Sequence, residues 1–525
     1  MDLEKPLVDF SGHIKEVKMI KFNLSDDNQW LILVQTSDDV EKKQIELSLT
    51  KKIHNWYFHP LVKKKLWTGD ICFIEKKGPF WRVPVGLWSE VLEIGKEYGY
   101  DIQIEGLDRL FLSNLKLEDF KSWVDNFFKD SDIEPRDYQI EAAWKIVKFR
   151  YSVSEIATSS GKTLISFMIF AFLKEQGYIR KFLMVVPSTN LVIQGTEDFD
   201  DYGIDKLGVK IQQIGGGSKL REGCEVVIGT FQSLVKKDEE YFEEFDAVFV
   251  DEAHHTNSIS IKKIMTKCGH SGWRFGLTGT LTKRGSADHL TIQQFLGPVL
   301  VEISPDFLFK NQYATPVSIK IVVLDWLSPD YKEKLADLKA NSANLEGNEL
   351  YNLERKLVIT NKARLDYIVN FINRTSKNSL VLFQSVKDEY GRNIWNGIRE
   401  TNSSKEAFYV DGDTNEQLRE EYKSRMETGE NKVLIATYGT FSTGISINNL
   451  HNIFLVESYK SEVLIKQSLG RGMRKMEGKE KVNIIDFVDD FSTSGYKNYL
   501  MKHSEARIAI YRNENFDYKI FRVTL

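Results

Sequence analysis

The chain is 525 residues long, 42% hydrophobic and 28% charged with only 10 prolines, which suits about three or four domains with a core each and excludes a disordered protein. A formal net charge of −4 excludes global attraction to nucleic acid, so such binding has to come from local patches. Three widely spaced cysteines, Cys72, Cys224 and Cys268, form neither a disulfide framework nor a zinc set and point to a reducing cytoplasm. The opening MDLEKPLVDF lacks a basic-then-apolar signal pattern, and no apolar run is long enough to span a bilayer.

Residues 11–82 are expected to be strand-rich. VKMIKF, WLILVQT and QIELSL are β-favouring runs divided by polar turns. From 51 to 82 the chain becomes basic and aromatic, with eight Lys or Arg against two acids and Trp56, Tyr57, Phe58, Trp67, Phe80 and Trp81 among them. One reading is a small core with a solvated lysine face. The other is a nucleic-acid surface, where Lys and Arg meet phosphates and aromatic faces stack on bases. Two helices follow, GLWSEVLEIGKEYGY and LEDFKSWVDNFF, the second with Leu117, Phe120, Trp123, Val124 and Phe127 on one stripe. Residues 1–130 are therefore expected to form a separate, small α+β domain that binds DNA.

Past Pro135 the periodicity changes to alternating strand and helix. A helix over DYQIEAAWKIVKF leads to the strand SVSEI and the loop ATSSGKT, residues 157–163, then to a buried helix LISFMIFAFLK. FLMVVP, IQQIGGG, VVIGT, AVFVDEAHH and FGLTGT are short apolar strands ending in Gly or polar residues, as buried parallel strands do. This gives a doubly wound parallel sheet over 131–310, with ligands at the carboxyl ends of its strands. A second series spans 311–525. IKIVVL, SLVLFQS, AFYVDG, VLIATYGTF, NIFLVES and VNIIDFV supply its strands, and the polar helical stretch 328–356 makes an insertion or hinge arm. Only the first series has a Gly-Lys-Thr loop, so a nucleotide is expected in the cleft between two tandem sheets.

In ATSSGKT, backbone N–H groups and a helix N-terminus face an anion, Lys162 reaches the β- and γ-phosphates, and the Thr163 hydroxyl can hold Mg²⁺. Ser159, Ser160 and Gly161 complete the cradle. The strict pattern is broken at Ile156, where Gly is usual, and a Ser- or Thr-capped helix start is the plain alternative. Asp251 and Glu252, at the end of an all-apolar strand, divide the remaining work: Asp251 holds the metal and Glu252 acts as base toward water. QSLGRGMR, residues 467–474, is expected on a helix with Arg471 and Arg474 on one face, reaching the γ-phosphate as arginine fingers. Surface arginines are the alternative.

GKT, DEAHH, LTGT, FSTGIS and QSLGRGMR, in this order across two such halves, resemble a superfamily 2 helicase. The resemblance implies two RecA-like domains, ATP with Mg²⁺, and translocation on nucleic acid. By it, Arg136 and Gln139 in PRDYQ match the adenine-reading region. Pro187, Thr189 and Leu191, Gly215 to Gly217 (Gly216 at the centre) and Thr230 match three strand-contacting motifs. Thr278, Gly279 and Thr280 stand where hydrolysis couples to motion, and His254 links the metal site to the other domain. Phe383, Asp411 and Gly412 begin the second domain's set, and Thr437, Thr443, Gly444 and Ser446 match its motif touching both phosphate and nucleic acid.

A narrower resemblance covers nearly the entire chain. YFHPLVKKKLWTGDICFIEKKGPFWRVPVGLWSEVLEIGKEYGY and the ending YLMKHSEARIAIYRNENFDYKI are similar to UvsW-type helicases of tailed phages; the first 50 residues match least. This implies a motor that remodels forks, Holliday junctions and RNA–DNA R-loops, working as a monomer in the host cytoplasm with branched or duplex DNA as partner and no membrane. Branch preference then falls to Lys63, Lys64, Lys65, Trp67 and Arg82 as DNA contacts. Two rivals remain: a duplex translocase that does not separate strands, and an annealing or junction-binding protein with a weak ATPase.

Overall fold

The structure, a computed structural model, describes residues 18–36, 39–78, 80–215, 223–326, 340, 347–401, 405–444, 447–459, 461–492 and 498–525. Two compact units emerge. The chain up to Ile156 together with Gly161–Glu302 forms one, and Ala157–Ser160 with Ile303–Leu525 forms the other.

The first unit starts with β1 (Met19–Leu24), β2 (Trp30–Gln35), β3 (Thr50–Lys52), β4 (Asp70–Cys72), β5 (Glu75–Lys77), β6 (Phe80–Pro84) and β7 (Asp101–Glu105). Five of them form a sheet in the order β5-β6-β2-β1-β7, while β3 and β4 pair as a separate ribbon. QIELSL is not a strand. It lies in the helix Asp39–Ser48, which buries Glu41 and Ile45, one turn apart, with Leu49 following one turn on. A period of four therefore outweighs β-propensity here. The helices Trp88–Tyr98 and Leu117–Phe127 form where expected; Phe120, Val124 and Phe127 are buried, and Leu117 and Trp123 partly so.

The N-terminal sheet and the next one share packing. Ile20, Phe22, Leu31, Val83 and Val91 cluster with Tyr151 and Leu290, and Phe120 meets Phe172 at 4.8 Å between ring centroids. Residue 130 thus lies inside one compact unit.

The second sheet of this unit contains β8 (Tyr151–Ile156), β9 (Phe182–Val186), β10 (Ile211–Ile214), β11 (Val226–Thr230), β12 (Ala247–Asp251), β13 (Trp273–Thr278) and β14 (Val299–Ile303). Their order is β10-β11-β9-β12-β13-β8-β14, and the pairings from β10 to β8 are parallel. The helix Lys162–Glu175 is buried from Leu164 to Leu173, as an apolar helix without a polar face must be.

The second unit repeats the plan with β15 (Val317–Asp325), β16 (Ser379–Phe383), β17 (Glu406–Val410), β18 (Lys432–Thr437), β19 (Asn452–Leu455), β20 (Val482–Asp490) and β21 (Asp517–Thr524). The order is β17-β18-β16-β19-β20-β15-β21, parallel at every pairing. Of the expected arm at 328–356, residues from Gly347 onward belong to the helix Gly347–Ile359; apart from residue 340, the rest lies outside the described residues. Two buried ion pairs pin helices to this sheet. Arg364 binds Asp489 at 2.6 and 2.8 Å, and Arg507 binds Asp486 at 2.9 and 2.7 Å. The fold is thus α/β, two tandem RecA-like domains preceded by a small α+β region. No helix among the described residues is long and apolar enough to cross a membrane.

Candidate nucleotide site and nucleic-acid contacts

β8 runs into the loop, and Gly161, at φ +80°, caps the helix Lys162–Glu175. That left-handed conformation suits glycine. A Cβ at 161 would also stand 2.3 Å from Gln139 Nε2, so the glycine admits the neighbouring amide. Ser159 adopts φ +66°, and Ser160 turns inward to donate to the Ala157 carbonyl at 2.7 Å. Thr163 occupies the first helical turn, where backbone N–H groups lack intrahelical partners.

Lys162 is the charge at this N-terminus. Its ammonium is buried without a hydrogen-bond partner and stands 3.5 Å from Glu252 Oε1. An orphaned buried ammonium beside free helix N–H groups fits a phosphate chain. Asp251 ends β12, and Glu252 follows in a left-handed conformation at φ +50° with its N–H donating to Asp251 Oδ1 at 2.9 Å.

The two adjacent carboxylates differ in state. Burial, then the Glu252 charge, pushes Asp251 up to about 6, with Lys162 pulling the other way. Burial also acts to raise Glu252, but Lys162 and His254 outweigh it and hold Glu252 well below the usual carboxylate range. Glu252 is therefore ionised. Asp251 sits where a cation would stabilise its charge, and one carboxylate with a hydroxyl and phosphate oxygens is an ordinary donor set for Mg²⁺.

The chain of contacts extends to β13. His254 Nδ1 lies 3.4 Å from Glu252 Oε2 and 2.9 Å from Thr278 Oγ1. The Thr278 hydroxyl donates to the Thr280 carbonyl at 2.9 Å, so Nδ1 must carry the proton given to Thr278. His254, Thr278 and Thr280 are thus hydrogen-bonded in series, with Glu252 and Lys162 next to them at ion-pair distance.

Other expected residues are placed differently. Gln139 is buried, and its Oε1 accepts from the Arg136 backbone N–H at 2.8 Å, capping its own helix beside Gly161. Arg136 reaches Tyr138 Oη at 3.3 Å. Three strand-end motifs do converge. A Cβ on Gly215, at φ +136°, would lie 3.2 Å from Thr230 Cγ2 and 3.8 Å from Thr189 Oγ1. The Pro187 carbonyl accepts from Gln232 Nε2 at 3.3 Å. Gly216 and Gly217 lie outside the described residues.

In the second unit Phe383 is fully buried and stacks on Tyr409 at 5.7 Å. Its ring is a core element and not a DNA contact: Gly391 packs so tightly that a Cβ there would be 2.5 Å from it. Asp411 Oδ1 accepts from the N–H groups of Asp413 and Thr414, both at 3.1 Å, bracing the turn that holds Gly412. Thr437 Oγ1 accepts from the Thr440 N–H at 3.1 Å. Gly444 ends the helix Tyr438–Gly444 that also carries Thr443, and Ser446 lies outside the described residues.

The arginine pair needs correction. The helix is Glu462–Gly472, and Met473 caps it. Arg471 is in its last turn, 5.7 Å over the Phe441 ring, whereas Arg474 follows the cap and does not share a helix face with it. Two glycines, Gly470 and Gly472, weaken the helix at that point.

In the N-terminal region Lys63, Lys64 and Lys65 are exposed at the end of a short helix, Pro60–Lys63. Trp67 is partly buried, its indole N–H donating to the Asp70 carbonyl at 3.1 Å. Arg82 belongs to the five-stranded sheet instead, paired with Glu75 at 2.7 Å and stacked 4.1 Å over Trp30. Beside the lysines, Tyr57 and Phe58 of the expected basic–aromatic stretch are 53% and 63% exposed, and Leu66, which sequence reasoning missed, is 73% exposed. Its neighbours in WYFHPLVKKKLW were the available signal.

Residues 132–283 match the family of the Type III restriction enzyme res subunit, and residues 363–476 match the helicase conserved C-terminal domain. The ATP-dependent DNA helicase UvsW of Enterobacteria phage T4 is 28% identical over 89% of this chain and 93% of its own length. The DNA 3′-5′ translocase XPB2 of Sulfurisphaera tokodaii is 25% identical over 66% of this chain and 80% of its length. A fragment of an HsdR subunit of a type I restriction enzyme from Vibrio vulnificus YJ016 shares the fold, with a TM-score of 0.54 and 17% identity over 76% of this chain and 71% of that one. With its tandem RecA-like sheets, its ordered motifs and these matches, the chain is an ATP-dependent DNA helicase of superfamily 2 that resembles the UvsW type.

Proposed function

We propose that this helicase couples hydrolysis of Mg²⁺-bound ATP to the remodelling of branched DNA, acting on forks, Holliday junctions and RNA–DNA R-loops in phage replication, recombination and repair. In this reading residues 1–130 contact DNA, 131–310 bind and hydrolyse ATP, and 311–525 form the second motor domain. The motor is a monomer in the host cytoplasm. Lys162, Ser159, Ser160 and Gly161 hold the phosphates, Thr163 and Asp251 hold Mg²⁺, and Glu252 takes the proton of the attacking water. Arg471 and Arg474 stabilise charge on the transferred phosphoryl group. Arg136 and Gln139 border the base, and Gly444 belongs to the phosphate-sensing helix. Pro187, Thr189, Gly216, Thr230 and Thr437 track the DNA backbone.

The observation that carries branch recognition is the excursion between β3 and β4. There Lys63, Lys64 and Lys65 stand exposed beside exposed Tyr57, Phe58 and Leu66, with phosphate-seeking and base-stacking groups side by side. Trp67 supports this excursion from beneath. The test is ATP turnover with and without forked DNA, with Lys162→Ala as control. Strong stimulation by forked DNA supports the reading, and turnover indifferent to DNA refutes it.

A second reading, translocation on duplex DNA without strand separation, is favoured by the res-subunit match and the translocase relative. A forked duplex with labelled strands separates the two.

A further inference from the structure

The turn that carries Arg474 is held by its backbone from two sides. Gly472 closes its helix and Met473 caps it, so the final carbonyls lack intrahelical donors. Lys479 supplies them. Its buried ammonium donates to the carbonyls of Gly472 at 2.7 Å, Asn448 at 2.9 Å and Arg474 at 3.1 Å. Thr315, 2% exposed, adds two more bonds. Its N–H donates to the Met473 carbonyl at 2.8 Å and its hydroxyl to the Arg474 carbonyl at 3.1 Å. The Arg474 carbonyl therefore receives two donors from two separate segments.

This is more than packing requires. A lysine is seldom buried without a carboxylate partner, and Lys479 spends its three N–H donors on main-chain oxygens. Burial lowers its pKa to about 8, with Glu427 pulling it up and Arg474 adding to the fall, so at neutral pH it remains an ammonium with all three donors. A cation at a helix C-terminus is favourable in itself. The consequence is a fixed starting point for the long Arg474 side chain.

We propose that Lys479 and Thr315 are positioning residues that lock the backbone from Gly472 to Arg474 and so present the Arg474 guanidinium in one orientation to the transferring phosphoryl group. The proposal rests on the reading of Arg474 as an arginine finger. Both act through the backbone of Arg474. Misplacing a charge clamp by about 1 Å can cost as much as about 10²-fold in rate, which sets the scale of the effect.

The test uses the full-length protein and DNA-stimulated ATP turnover. Lys479→Met keeps length and apolar volume but loses the donors, Lys479→Arg keeps a cation, and Thr315→Val keeps shape and its N–H bond but loses the hydroxyl. We expect kcat to fall roughly 10-fold or more in Lys479→Met and several-fold in Thr315→Val, with KM for ATP within about 2-fold of the parent. Lys479→Arg should recover a large part of the loss. In an Arg474→Ala background, Lys479→Met and Thr315→Val should lower kcat no further. Equal losses in both backgrounds would mean a purely structural role and overturn the proposal. Should Lys479→Met fail to fold, Thr315→Val in the two backgrounds decides alone. Low kcat in Arg474→Ala with parental kcat in both clamp variants refutes the clamp only, whereas parental kcat in Arg474→Ala refutes the finger and the clamp with it.

Discussion

Replacing Glu252 with Gln separates two roles that we propose for one carboxylate, base toward water and partner of Lys162. Glu252 Oε1 stands 3.5 Å from Lys162 Nζ, and the two side chains are only 14% and 15% exposed. At that distance, with an effective dielectric constant near 20, the attraction is about 5 kcal/mol. Before ATP binds, this pairing occupies the ammonium that must turn to the phosphates, so binding has to exchange one anion for another. The amide removes the charge and keeps the shape. Lys162 then has no competing carboxylate, and ATP affinity should hold or rise. Turnover should fall by about 10²-fold or more, the usual contribution of a positioned base. The assay pairs phosphate release with equilibrium titration of a fluorescent ATP analogue, and melting temperature serves as the folding control. Near-parental kcat would refute the base assignment. An affinity loss of 10-fold or more with intact folding would refute the competition between Glu252 and phosphate.

Lys162→Ala should lose ATP binding and stay folded with a lowered melting temperature, because the buried Glu252 carboxylate loses the cation 3.5 Å away; titration and a thermal melt check both. Gly161→Ala should lose nucleotide binding as well, since its Cβ would fall 2.3 Å from Gln139 Nε2 at φ +80°, and a strain of about 1–3 kcal/mol should appear in its denaturant midpoint. Neutralising Lys63, Lys64 and Lys65 together should weaken junction binding and flatten its salt dependence by roughly 0.9 for each phosphate no longer neutralised, with DNA-independent ATPase unchanged; an unaltered slope makes them a solvated face. Arg364→Ala should cost about 3–5 kcal/mol in chemical denaturation, because it leaves Asp489 charged and buried without its partner.

The alternating apolar strands of both RecA-like sheets are legible because a strand buried on both faces has to be continuous, as FLMVV and SLVLF are. Local motifs are legible for a related reason: a phosphate cradle and a strand-end acid pair are each built from adjacent residues, and Lys162 and Glu252 do meet. What fails depends on distant partners. QIELSL has strand composition, yet the burial of Glu41 and Ile45 on one side makes it helical. Asp486 and Asp489 read as part of a strand, and nothing local marks Arg507 and Arg364 as their partners, 21 and 125 residues away. Phe383 matches a nucleic-acid motif by position while its ring belongs to the core. The spacing of QSLGRGMR puts Arg474 on a helix, but the glycines end that helix two residues earlier. The converse case is Gly215, whose close approach to Thr230 and Thr189 gathers three strand-end segments that sequence alone cannot tell from a turn.

The central claim is tested most directly by strand separation on linear duplex, fork, Holliday junction and R-loop, measured side by side with ATP and Mg²⁺. The account predicts ATP-dependent product from the three branched substrates, little from the linear duplex, and none from any of them with Glu252→Gln. Brisk DNA-stimulated ATP hydrolysis without strand separation on any of the four would contradict it and leave a translocase.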